Sequence, residues 1–145
     1  MQNGRHLNKP VAYTQLFRSG QIESVNATIM RVDTYSDIAI SAVESELCKR
    51  AFNFITVLQN SGIAPPIILA PAILGVKGRI VIEAAHGMRF GPIQKNDLVL
   101  PETLVESYPI NVAGVAKIMR SALDAMWNAA GHMGSKHFKL GYALP

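Results

Sequence analysis

The residues of this chain that could do chemistry are few and widely spaced. Its four histidines are His6, His86, His132 and His137. A metal site needs two or three imidazoles that converge with carboxylates, and no HExxH or similar helical spacing occurs. His132 and His137 lie five residues apart in a glycine-containing tail, where adventitious metal binding competes with plain solvent exposure. The pattern favours exposed histidines, and we expect no metal and no cofactor.

Nucleophilic and acid–base catalysis find little support in the pattern. Cys48, the only cysteine, falls on the apolar side of a predicted helix, which favours a small buried side chain over a reactive thiol. No serine lies in a G-x-S-x-G elbow. Glu102 and Glu106 could share one face of a strand as an acid pair, but a charged strand edge explains them as well. Gly75–Gly78 is typical of a hairpin turn rather than a phosphate-binding loop, because no P-loop motif follows. We expect a protein that is not an enzyme.

Four residues are candidates for contact with a ligand or partner. Arg89 and Phe90 lie between Gly87 and Gly91, a composition that suits either a binding loop or a plain connection. Trp127 is the only tryptophan and is followed by Asn128 near a helix end. Trp127 could wall a small-molecule pocket, but packing between helix and sheet explains it at least as well, and its indole N–H then needs one acceptor.

Composition limits the class of protein. The chain has 145 residues, the length of one ordinary domain. Hydrophobic residues make up 49% and charged residues 17%, against about 25% charged in typical soluble domains, which indicates an interface such as a homodimer. The net charge of +4 is scattered, with some concentration in the tail, so nucleic acid is a weak candidate. No apolar run is long enough for a membrane span and the N-terminus lacks a secretion signal, so we expect a cytoplasmic protein.

Periodicity and turn residues predict an α+β domain. We expect a disordered lead over 1–10, one domain over 11–131 and a basic tail over 132–145. The long helix from Ser36 to Asn60 is expected to end at Gly62, and the last helix to begin after an Asn111 cap and end at Gly131. The predicted strands are 11–17, 21–30, 67–74 with an interruption at Pro71, 79–84, and 97–106 broken at Pro101, with an exposed loop over 86–95.

These elements predict one mostly antiparallel sheet of about five strands covered by two long helices. The order of strand, strand, helix, strands and helix is similar to that of profilin-like modules, including the roadblock and longin types. That similarity concerns element order alone and does not establish a function.

Five short motifs follow one another along the chain in an order that resembles a known group of proteins. They are Gln15–Glu23, Pro65–Ile67, Leu74–Gly78, Leu98–Glu102 and Asp124–Gly131. The series resembles the C-terminal region of bacterial proteins described as transcriptional regulators or ATP-binding proteins that carry an N-terminal Schlafen-type AlbA domain. That N-terminal domain is expected to meet DNA or nucleotide and is not represented in this sequence. The resemblance therefore implies a regulatory or accessory module and transfers no catalytic residue.

Three functions remain open at this point. The first is a non-enzymatic regulatory or accessory module that self-associates or docks on a protein partner. The second is a small-molecule or nucleotide sensor with a pocket between the sheet and the C-terminal helix. The third and least favoured is an enzyme that uses Glu102, Glu106 and a histidine.

Overall fold

The computed structural model describes residues 12–28, 37–83 and 87–135, which form short strands and three helices in a mixed α+β arrangement. The chain divides into two compact units, Met1–Arg31 and Val32–Pro145, and each is described by itself. The prediction of an α+β fold is confirmed. The strands form four small sheets rather than one sheet of about five, because most pairings involve only two short strands.

The first unit is an antiparallel hairpin of β1 (Ala12–Leu16) and β2 (Ile22–Asn26). Its turn is the predicted one, with Gly20 at φ 85° and the Gly20 N–H donating to the Phe17 carbonyl at 3.0 Å. Every residue of β1 is exposed, whereas β2 alternates between half-buried and exposed residues. Residues 11 and 29–30, which the predicted strands included, lie outside the described residues.

The second unit contains a three-stranded sheet in the order β3 (Asp37–Ala39), β6 (Ile80–Glu83) and β7 (Met88–Phe90). β3 pairs parallel to β6, and β7 pairs antiparallel to β6. β3 leads directly into helix α1 (Ile40–Asn60), so the chain crosses over through a helix before it returns as a parallel neighbour. Two predictions are wrong here: Asp37–Ala39 forms a strand rather than the start of the long helix expected from Ser36, and β7 lies in the segment expected to be a loop.

Four further strands form one long two-stranded ribbon, here called the ribbon. β4 (Ile67–Leu69) pairs with β9 (Thr103–Val105), and β5 (Ala72–Ile73) pairs with β8 (Leu98–Val99). Between the two pairings, two residues on one strand face three on the other, which is a β-bulge, and the Leu100 N–H bonds the Pro71 carbonyl at 3.1 Å. The interruption predicted at Pro71 is therefore a bulge.

The predicted end of the long helix at Gly62 and the predicted cap at Asn111 are confirmed. After α1, Gly62 has φ 75° and the Ile63 N–H donates to the Leu58 carbonyl at 3.0 Å, as in a Schellman motif. The Asn111 side chain accepts the Gly114 N–H at 2.9 Å and caps helix α2 (Val112–Ile118). The single C-terminal helix expected from Asn111 to Ala130 is instead split, because Met119, with ψ 6°, separates α2 from α3 (Arg120–Ala129).

The core of the second unit is made by α1, α2, α3, the three-stranded sheet and the inner face of the ribbon. Its largest completely buried side chains include Trp127, Ile40, Ile55, Met119 and Leu123. Within the three described ranges, no helix is both long and apolar enough to cross a membrane.

Candidate functional site

Trp127 lies in the core rather than at a pocket wall. Its side chain is 0% exposed, and its indole Nε1–H donates to Glu44 Oε2 at 2.7 Å. Both parts of the structural prediction, burial and an acceptor for the indole, are confirmed. Asn128, the next residue, is exposed on the other side of the helix.

Glu44 is the residue that the sequence analysis missed. Glutamate is seldom buried, yet Glu44 is 0% exposed and accepts from two neutral donors, Trp127 Nε1–H and Ser135 Oγ–H, the latter at 2.7 Å. The signal was its spacing, because Glu44 lies four residues after Ile40 and four before Cys48, both of which are buried. A carboxylate in this position requires hydrogen-bond donors, and the chain supplies one from α3 and one from the segment after it.

Cys48 lies one turn after Glu44 and is completely buried, as predicted. Burial raises the pKa of its thiol to about 12, and the negative charge of Glu44 adds to that rise. The thiolate is the nucleophilic form of cysteine, so this environment suits packing rather than reactivity.

Arg89 and Phe90 lie on β7 and make different contacts, Arg89 with Asp37 and Phe90 with His132. The Arg89 guanidinium binds both carboxylate oxygens of Asp37 at 3.1 and 3.0 Å, which ties β7 to β3 across the intervening strand. Asp37 is buried, whereas the Arg89 side chain is 58% exposed. Phe90 packs edge-on against His132 with ring centroids 5.2 Å apart, and His132 in turn contacts Trp127 at 5.1 Å. Of the four candidate contact residues, Phe90 and Trp127 therefore both contact the same imidazole ring, that of His132.

The other candidate chemistries have structural explanations. In the turn Gly75–Gly78, the Gly75 N–H donates to Asp97 Oδ1 at 2.9 Å, and the Val76 and Gly78 amides donate to backbone carbonyls. These amides already have acceptors, as expected of a turn. Glu102 and Glu106 are both exposed. Among the described residues, no group of three or more His, Cys, Asp and Glu side chains could hold a metal ion. His6, His86 and His137 lie outside the described residues.

One small cavity lies between the three-stranded sheet and the last helix. Its lining is entirely apolar and includes Ile38, Val81 and Met126. Its volume of about 10 Å³ is room for a single water molecule at most. A metabolite could enter only if these side chains moved apart.

Four exposed large apolar side chains of the second unit lie on the ribbon or directly after one of its strands. These side chains, here called the ribbon face, are Ile68 (64% exposed), Leu74 (66%), Val99 (81%) and Leu104 (52%). Ile68 and Leu104 are direct cross-strand partners. The four side chains are uncharged, and Glu102 and Glu106, two residues before and after Leu104, are exposed with the same outward alternation.

The bulge is what brings these side chains to one side. In 98–100 the even-numbered residues Leu98 and Leu100 point into the core, whereas in β9 the odd-numbered Thr103 and Val105 do so. The extra residue of the bulge shifts the alternation by one, so that Val99 and Leu104 lie on the same outer face. The ribbon face is therefore the candidate functional site that the geometry supports best.

Comparison of the chain with protein-family models, with curated proteins and with solved structures gave no match. The resemblance to proteins with a Schlafen-type AlbA domain stays a prediction from five sequence motifs.

Proposed function

We propose that this protein is a non-enzymatic regulatory or accessory module of the bacterial cytoplasm that acts by self-association through the ribbon face. The observation that carries the proposal is a set of four large apolar side chains on or next to the ribbon, each more than half exposed. Monomeric proteins seldom leave such side chains together in water, because burying one of them stabilises an assembly by about 1.5 to 3 kcal/mol when burial is complete.

A second copy of this chain is the occupant that fits best. In a two-fold symmetric contact the same patch meets itself, so the apolar side chains of one copy meet those of the other. The ribbon has two strands, and neither β4 nor β9 has a further strand partner among the described residues.

The hairpin of the first unit also exposes apolar side chains. It exposes Tyr13 (43%), Leu16 (64%) and Val25 (40%), and β1 carries no charged residue. An isolated two-stranded hairpin is marginal in water, so a partner surface would stabilise it.

Sedimentation velocity over about 1 to 200 μM tests the proposal, a range chosen because small interfaces give micromolar or weaker association. We expect the weight-average mass to rise with concentration toward that of a dimer.

Ile68→Lys with Leu104→Lys places two cations on the ribbon face and should keep the protein monomeric. Val57→Lys is the matched control, because Val57 is 47% exposed on α1 and lies outside the ribbon. A monomer at every concentration would reject self-association; specific capture of a different protein that the Lys pair abolishes would assign the face to a heterologous partner instead.

The small-molecule or nucleotide sensor remains the second candidate function, at the predicted place between sheet and C-terminal helix. The small apolar cavity there would have to open around a ligand. A thermal-shift screen of nucleotides and common metabolites should leave the melting temperature unchanged under the leading proposal. A reproducible, saturable shift with one compound would favour the sensor. The profilin-like arrangement also remains a proposal.

A further inference from the structure

The segment Gly131–Ser135, here called the strap, lies against Trp127 after the end of α3. The His132 ring contacts the indole edge-on, and the His132 N–H donates to the Trp127 carbonyl at 3.1 Å. The strap therefore covers the same tryptophan that Glu44 holds from α1.

Two carboxylates hold the far end of the strap. Ser135 Oγ–H donates to Glu44 Oε1 at 2.7 Å, and the Ser135 N–H donates to Asp124 Oδ1 at 2.8 Å. One residue thus bridges a carboxylate of α1 and a carboxylate of α3. Hydrogen bonds to ionised groups are among the stronger ones in proteins.

A glycine stands near each end of the strap. Gly131 has φ 84° and Gly134 has φ 91°, values in the left-handed region that other residues rarely adopt. A Cβ atom on Gly134 would lie 2.7 Å from Asp124 Oδ1, too close for any side chain. The closed strap therefore depends on glycine at this position.

Apolar burial contributes little to the closed strap. Met133 is 84% exposed and His132 is only partly buried, whereas Ser135 is 2% exposed. Segments with few buried apolar contacts open at a lower free energy than the core around them. The hydrogen bonds of Ser135, the ring contacts of His132 and the His132 N–H bond to the Trp127 carbonyl are thus restraints on this segment.

We propose that the strap is a latch, closed by Ser135 on Glu44 and Asp124, which opens while the helices stay folded and uncovers the indole of Trp127 and the carboxylate of Glu44. Closed, the two helices are tied together and both groups are hidden. Open, an indole N–H and a carboxylate become available to solvent or to a second molecule. This inference is independent of the ribbon face.

Hydrogen exchange on the wild-type chain is the first test. The amide of Ser135 is expected to exchange at least about tenfold faster than amides in the middle of α1 and α3, because opening the strap is a local event. Exchange of Ser135 at the same rate as those core amides would overturn the latch, since the strap would then open only on global unfolding.

Variants test the restraint itself, with the single tryptophan as reporter. Ser135→Ala removes the hydroxyl bond to Glu44, and exchange at residue 135 should rise on the order of tenfold or more, as loss of a bond to a charged group predicts. Acrylamide quenching of Trp127 should increase and its emission should move to longer wavelength, while the helical circular dichroism is retained. Ser61→Ala is the control, because it removes a hydroxyl bond to the Val57 carbonyl at the exposed end of α1.

Gly134→Ala provides a second route that leaves every side chain of the latch in place. The new methyl group should displace the strap from Asp124 and raise quenching as Ser135→Ala does. Unchanged quenching and exchange in both variants would overturn the proposal. An equal rise in the exchange rates of residue 135 and of the core amides would also overturn it, because the variant would then destabilise the whole fold rather than the strap.

Discussion

The core around Trp127 and the ribbon face use similar residues in opposite ways. Around Trp127, apolar side chains from three helices cover one another, and Glu44 is buried with a donor on each oxygen. On the ribbon face, Ile68, Val99 and Leu104 are each more than half exposed. The first region is packed within one molecule, whereas our proposal is that a second copy covers the second region.

This difference separates residues that serve folding from residues that serve association. Substitutions in the core should change the free energy of unfolding and leave any assembly of the folded protein intact. Substitutions on the ribbon face should do the reverse. The predictions below run from the largest expected change in stability to the smallest.

Trp127→Ala should lower the free energy of unfolding by about 3 to 5 kcal/mol, because a buried indole is lost and a cavity remains. Urea denaturation followed by circular dichroism measures this directly. A loss below about 1 kcal/mol would be too small for a core aromatic and would contradict its burial.

Glu44→Ala should cost about 2 to 4 kcal/mol, because it leaves the Trp127 indole N–H and the Ser135 hydroxyl without their acceptor. Glu46→Ala on the same helix is the matched control. Glu46 is a half-buried partner of Arg50, and such a surface pair contributes about 0 to 1 kcal/mol. Equal losses in the two variants would contradict the structural role assigned to Glu44.

Because of Cys48, we expect the free energy of unfolding to fall at alkaline pH. The raised pKa means that the folded protein keeps the thiol protonated to about pH 12, whereas the unfolded chain ionises it from about pH 9. The contribution of the Cys48 thiol to the free energy of unfolding is complete below pH 9. It is lost as the pH rises toward 12, and the free energy of unfolding then falls by up to about 1.4 kcal/mol per pH unit. The measurement is the difference in unfolding free energy between wild type and Cys48→Ala from pH 8 to 11. A difference that does not vary with pH would show that the folded thiol ionises normally.

Ile68→Lys and Leu104→Lys should each change the free energy of unfolding by no more than about 0.5 kcal/mol, because both positions are more than half exposed. Thermal or urea denaturation at low protein concentration checks this, where any dimer is dissociated. A large loss in either variant would place that side chain in the fold rather than in an interface.

Local sequence patterns predicted the parts of the fold that local chemistry determines. Gly20, Gly62 and Gly131 ended their elements where expected because a left-handed conformation suits glycine. Asn111 capped α2 through its own side chain, and the spacing of apolar residues placed Trp127 in the core.

The remaining features depend on residues far apart in sequence. The strand at Met88–Phe90 forms because β6 offers an edge and Asp37 pairs with Arg89, 52 positions away. The spacing of Glu44 from Ile40 and Cys48 signals burial, but the donors from Trp127 and Ser135 that make this burial tolerable come from distant residues that no local pattern reveals. The ribbon face exists because a bulge shifts one strand by a residue, and a periodicity of two cannot anticipate that shift.

The weight-average mass of the wild-type chain as a function of concentration, beside that of the Ile68→Lys, Leu104→Lys double variant, tests the central claim most directly. We expect the wild-type mass to rise toward twice 15.7 kDa and the double variant to stay at the monomer value with an unchanged unfolding free energy. A wild-type chain that remains monomeric throughout, or a double variant that associates as the wild type does, would contradict the assignment of the ribbon face as the site of self-association.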